Sequence, residues 1–182
     1  MANIPELTPL PTRHPQSCVS LSLPLLSLLD RTFPPPPALT LSVGSGPGLL
    51  EAALLHHYPH RATTPTSFYG IEVATDPNSV PVNRFLPEPN SLVVSGTWAV
   101  ATEAKEAEGL LFVFPRQPGL IQRYLEVGKG VQVVVWIGPW CDEEEMCRPL
   151  KEWGMREEIN LEGVVEEGEM VAVYRRREGG AP

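Results

Sequence analysis

The sequence is poor in cysteine, poor in basic charge and free of any long apolar run. Cys18, Cys141 and Cys147 are its three cysteines, an odd number with no C-x-x-C pair. That gives no zinc spacing and fits free thiols in a reducing compartment. Lys and Arg total 14 against 22 Asp and Glu, a net charge of −8. A nucleic-acid backbone is therefore not the expected partner, since such binding takes a basic face. A basic protein or a small molecule remains compatible with that charge. The run from Cys18 to Leu29 is too short to span a membrane and is interrupted by Pro24. No signal peptide is visible, so the expected setting is cytoplasmic, intracellular and reducing, with the nucleus left open.

Proline is what the chain has in excess, 21 residues in 182. The prolines concentrate in the first ninety positions, at Pro34 to Pro37 and again at Pro77, Pro81, Pro87 and Pro89, where they punctuate and stiffen loops. Apolar content of 42% and charged content of 20% are ordinary for a globular protein, and the length suits one domain with a real core. The organisation read from these patterns is a proline-rich segment with a capping helix over 1–37, a domain over 38–178 and a tail over 179–182. Leu21, Leu25, Leu28 and Leu29 recur at helical spacing, which predicts a helix opening near His14.

The stretch Leu39-Thr40-Leu41-Ser42-Val43-Gly44-Ser45-Gly46-Pro47-Gly48-Leu49-Leu50-Glu51 reads as a buried strand, a glycine turn and the start of a helix running to His57. Glycines at 44, 46 and 48 admit left-handed backbone and the close approach of a ligand. The free N–H groups of the helix start point back at the turn and suit an anionic or polar group. The dinucleotide fingerprint G-x-G-x-x-G would need a glycine at position 49, which is leucine. A second strand, Phe68 to Val73, ends beside Glu72, whose two oxygens can each accept one hydrogen bond from a ribose diol.

Ser42-Val43-Gly44-Ser45-Gly46-Pro47-Gly48 and Gly70-Ile71-Glu72-Val73 together resemble motif I and the strand-two acid of the class I S-adenosylmethionine-dependent methyltransferases. That family often carries an acid two positions before the first glycine; this chain has Ser42. The resemblance implies an α/β chain with a three-layer α-β-α, Rossmann-like methyltransferase fold, its mostly parallel seven-stranded sheet ending in an antiparallel hairpin. It implies S-adenosylmethionine as cosubstrate, held by Gly44, Ser45, Gly46 and Gly48, by Glu72 and Val73, and by Gly96, Thr97 and Trp98 after the third strand. At that corner the family often has an acid and this chain has none. Trp98 either stacks on the adenine or packs under the loop. The acceptor site would lie at the end of strand four, at Phe114, Pro115 and Arg116, with His14 bordering it from the preceding helix. No catalytic base is assigned.

The remaining segments are read from pattern. His56-His57-Tyr58-Pro59-His60 is a helix end rather than a metal cluster, because adjacent histidines on a helix diverge. Residues 74–90 hold four prolines and read as a long functional loop with a helical turn near Ser79 to Phe85. Strands are expected at 91–96, 109–116 and 131–138, and helices at 99–108, 119–127 and 142–153. The acids at 142–145 suit the positive end of a helix dipole. A tight hairpin, 156–165 and 170–176, would close the sheet. Three functions fit: a methyltransferase acting on a small-molecule or protein acceptor, a non-catalytic methyltransferase-like binding or partner protein, and, less well, a nucleotide-dependent oxidoreductase.

Overall fold

Strands covered on both faces are rich in buried apolar residues, and the chain builds its sheet around three such strands. These are β1 (Leu39–Val43), β4 (Ala107–Val113) and β5 (Val133–Pro139). The computed structural model describes residues 4–62, 66–74 and 82–177. With β2 (Phe68–Val73), β3 (Ser91–Val94), β6 (Gly154–Glu157) and β7 (Glu169–Arg176) they form one seven-stranded sheet in the order β3-β2-β1-β4-β5-β7-β6. The first five pair in parallel, and β7 lies antiparallel between β5 and β6.

Alternate residues of the central strands feed two separate apolar cores. Leu111, Val113, Val133 and Val135 pack against α1 (Leu23–Thr32) and α2 (Leu49–His57). Leu110, Phe112, Val134 and Trp136 face α3 (Pro118–Val127) and α5 (Arg148–Trp153). This is the three-layer α-β-α arrangement that the sequence predicts.

Several boundaries differ from the sequence expectation. Helix α1 starts at Leu23 rather than near His14, because the Ser22 hydroxyl accepts the Leu25 N–H at 3.0 Å and Pro24 sits in the first turn. Residues 99–108 carry only a 3₁₀ turn at Thr102–Lys105, and β4 begins at Ala107. The 142–153 helix divides at Cys147 into α4 (Glu143–Met146) and α5, next to Pro149, which has no N–H for the helical ladder.

The terminal hairpin is not tight. β6 pairs with the far end of β7, Gly154 with Arg176 and Glu157 with Val173. Residues 158–168 form a long connection instead of a strand. Its Val164 is buried and its Ile159, Leu161 and Val165 pack on the α1 core. The Ser22 hydroxyl donates to the Val164 carbonyl at 2.7 Å, and Ser20 bonds both the Glu166 N–H and the Glu169 carboxylate. These long-range contacts to the N-terminal segment, invisible in local pattern, draw the apolar residues inward.

Of the histidine cluster, His60 stands 2.9 Å from Asp30 of α1. Its neighbour Arg61, only 4% exposed, bonds Asp30 Oδ1 at 2.6 Å and the carbonyls of Asp30, Phe33 and Pro34. One guanidinium thus satisfies the orphan carbonyls that follow the end of α1. Replacing Arg61 with leucine is expected to lower the unfolding free energy by roughly 2 kcal/mol, read from urea denaturation, because three carbonyls lose a donor and the half-buried Asp30 carboxylate loses one of its two partners.

Candidate functional site

The turn after β1 turns left-handed three times. Gly44, Gly46 and Gly48 have φ of 83°, 56° and 80°, angles at which a Cβ clashes with backbone. The Gly44 and Ser45 N–H groups donate to the Ile71 carbonyl of β2 at 2.9 and 3.1 Å, tying the turn to the neighbouring strand. Gly48 is the N-cap of α2 and offers no side-chain cap. A Cβ at Gly46 would meet nothing within 4 Å, so that stretch of backbone has an open face.

Glu72, near the end of β2, reaches this turn. One carboxylate oxygen accepts the Gly46 N–H at 2.7 Å and the other accepts the Val73 N–H at 2.8 Å. Gly44, Ser45, Gly46, Gly48, Glu72 and Val73 are therefore brought together, as the sequence predicts.

Residues 82–86 hold the turn from the other side. The Ser45 hydroxyl donates to Asn83 Oδ1 at 2.5 Å, and Asn83 Nδ2 donates to the Gly70 carbonyl at 3.0 Å. Backbone bonds join Asn83 N–H to Gly46 O and Phe85 N–H to Pro47 O. Leu86 fills the space over Gly70, where a Cβ would come within 2.4 Å of its Cδ1. Residues 82–86 form a turn followed by a 3₁₀ turn at Glu88–Asn90, and the rest of the expected loop, 75–81, lies outside the described residues. Asn83 has φ 52°, and asparagine is one of the few side chains suited to that conformation. Its place between prolines is the only sequence signal it offers.

A second carboxylate lies under the turn. Glu51, in the first turn of α2, is 1% exposed, and its Oε1 accepts the hydroxyl of the fully buried Ser42 at 2.6 Å. Its Oε2 has no hydrogen-bond partner. Burial pushes the Glu51 carboxyl up to about 7, the Ser42 hydroxyl and its own N–H oppose this, and Glu72 adds to it. Gln16, Cys18, Gly44, Ser45 and Val113 close a cavity of about 20 Å³ over Glu51, room for one water. The Cys18 thiol is pushed up, first by burial and then by Glu72 and Glu51, with Arg116 opposing. Sequence reasoning missed Glu51; the signal was a serine at position 42 in a strand read as buried.

The other predicted residues surround this centre at varying remove. His14 shapes the turn that delivers Gln16 to Cys18: its Nδ1 accepts the Gln16 N–H at 3.2 Å and its carbonyl the Ser17 N–H at 2.9 Å. Gly96 and Thr97 form a turn at the end of β3, with the Ala99 N–H on the Gly96 carbonyl. Trp98, 45% exposed, lies on the start of α3. A Cβ on Gly119 would be 3.1 Å from its ring, and the Arg123 guanidinium stands 5.3 Å from the ring centroid. Packing on α3 is thus what the ring does here, and Arg123 is a partner the sequence did not point to. Phe114, the residue after β4, takes φ 48° with its N–H on the Ile137 carbonyl at 2.7 Å. That conformation is unfavourable for a bulky residue and is held by the surrounding packing. Pro115 is half-buried and Arg116 exposed.

No protein-family profile matches the sequence, and no curated protein does. Solved structures match across nearly the whole chain. A precorrin-6y C5,15-methyltransferase from Geobacter metallireducens aligns over 95% of this chain and 100% of its own, at 8% identity and a TM-score of 0.55. A Thermoplasma acidophilum protein aligns over 93% and 94%, at 14% identity and a TM-score of 0.51. The S-adenosylmethionine-dependent methyltransferase SibL aligns over 84% of this chain and 53% of its own, at 14% identity and a TM-score of 0.51. The chain thus has a Rossmann-like α/β fold with a mixed seven-stranded sheet. More particularly, it shares that fold with two solved methyltransferases, the precorrin-6y enzyme and SibL.

Glu51 makes stability depend on pH. A carboxyl raised above its usual 4.5 to about 7 favours folding below 4.5, and that contribution is lost as pH rises through 7. Glu51→Gln removes the titration. Its unfolding free energy is expected to gain on the parent's by about 3 kcal/mol between pH 5 and pH 8, measured by urea denaturation at both.

Proposed function

We propose that the chain binds S-adenosylmethionine across the glycine turn and catalyses methyl transfer to a small-molecule or protein acceptor in the cytoplasm. The observation that supports this best is the pairing of Glu72 with the left-handed turn, the carboxylate oxygen lying 2.7 Å from the Gly46 N–H. Both Glu72 oxygens already accept one N–H each and keep lone pairs for ribose hydroxyls. The open face at Gly46 gives a ligand access to main chain. The strand ends carrying Gly96, Thr97 and Trp98 flank Glu72 on one side, through β3, and those carrying Phe114, Pro115 and Arg116 flank the turn on the other, through β4.

When bound, S-adenosylmethionine supplies an activated methyl group on a sulfonium. The chain's own residues then have to bind, align and exclude water, which alone can provide a large rate gain when the acceptor is already nucleophilic. The lack of an assigned base at Phe114-Pro115-Arg116 is compatible with such a reaction.

A second reading, a non-catalytic binding or partner protein, is favoured by the 20 Å³ volume of the cavity beneath Gln16 and Cys18. Under it, the N-terminal segment keeps the turn covered.

Calorimetric titration of the full chain with S-adenosylmethionine and S-adenosylhomocysteine separates the two. Micromolar binding is expected, with Glu72→Ala weakening it at least tenfold. Ligand at a hundred times Kd should add about 2.7 kcal/mol to stability and raise the melting temperature by a few degrees. A folded sample that binds neither ligand overturns the methyltransferase proposal and supports the second reading.

A further inference from the structure

One buried group is left without a task by the turn and Glu72. Glu51 is 1% exposed, one of its oxygens is satisfied by Ser42, and Oε2 has no partner. Among the described residues no Lys, Arg or His forms an ion pair with it. A buried carboxylate lacking both a counter-charge and a donor for one oxygen is costly. Glu72, the carboxylate nearest in charge effect, makes the surroundings more negative.

The place of this carboxylate narrows what would satisfy it. It forms the wall of the cavity shared with Gln16, Cys18, Gly44, Ser45 and Val113. Val113 ends β4, and β1 lies between β4 and β2. The cavity therefore reaches to the opposite side of the glycine turn from the strand that carries Glu72. A ligand whose ribose engages Glu72 would extend its other end toward Glu51. The cavity, at about 20 Å³, suits one small polar head. A primary ammonium is such a head: it brings positive charge and three donors in a compact volume.

We infer that Glu51, delivered by α2 and steadied by the Ser42 hydroxyl, is the residue that receives the ammonium group of the bound cosubstrate. The inference rests on the proposed binding of S-adenosylmethionine. It gives the chain a carboxylate for the amino-acid end of the ligand that is contributed by the helix after the turn, nine residues beyond Ser42. Ser42 acts through Glu51 as a positioning residue.

The test is calorimetry of the full chain with two probes, S-adenosylhomocysteine and its desamino analogue, in which hydrogen replaces the amino group. The parent is expected to prefer S-adenosylhomocysteine by roughly 30-fold, the effect of an unpaired buried charge. Glu51→Gln is expected to erase that preference, leaving the two probes within about threefold of each other and the desamino analogue bound as before. Ser42→Ala, which keeps the carboxylate, is expected to reduce the preference only in part. Thermal unfolding confirms that each variant is folded. If Glu51→Gln keeps the preference, or weakens both probes equally, the assignment of Glu51 is overturned while cosubstrate binding stands. If the parent binds neither probe, the binding proposal falls and this assignment with it.

Discussion

Three left-handed glycines within five residues decide how β1 hands the chain to α2, and that end of the sheet is built on the turn. It exposes backbone where a side chain would otherwise stand, and it leaves the Gly46 N–H directed at Glu72. It also starts α2 at an angle that lays the first helical turn under the end of β1, where Glu51 meets Ser42. A single conformational requirement, positive φ, thus places one carboxylate above the turn and another beneath it.

The turn needs support, and the chain supplies it in an unusual way. Between β2 and β3 there is no α-helix among the described residues. Asn83 and Leu86 take over the supporting contacts: the asparagine bonds Ser45 and the Gly70 carbonyl, and the leucine fills the face over Gly70 and Gly48. Two side chains on a short turn therefore do what a packed helix would do with many. The N-terminal segment serves the opposite side. Ser20 and Ser22 pin it to residues 164–169, and His14 shapes the bend that sets Gln16 and Cys18 over the cavity.

Charge completes the picture. A chain with net charge −8 gathers Glu51 and Glu72 near one small cavity, with Arg116 the opposing charge felt at Cys18. Like charges close together are unfavourable, so a buried Glu51 with the half-buried Glu72 nearby suits a positively charged group as complement. The proposed sulfonium- and ammonium-bearing ligand would meet that requirement better than a dinucleotide with its anionic phosphates.

The parts legible in the sequence were those governed by local physics. Apolar runs marked β4 and β5, glycine spacing marked the turn, and Glu72 near the end of a short strand marked the acid that meets it. Ser22 and Pro24 also carried a helix start, although leucine periodicity alone placed it too early. The parts decided only in three dimensions depend on contacts distant along the chain. Residues 158–168 alternate well enough for a strand, yet leave the sheet because Ser20 and Ser22 offer partners some 140 positions away. Trp98 went to α3 because Gly119 and Arg123 make a bed for it. Glu51, unremarked at a helix start, became a buried carboxylate with a free oxygen because helix packing on β1 closed over it. Backbone conformation and hydrophobic patterning are properties of neighbours in sequence; burial of a charge and the partner it lacks are properties of packing.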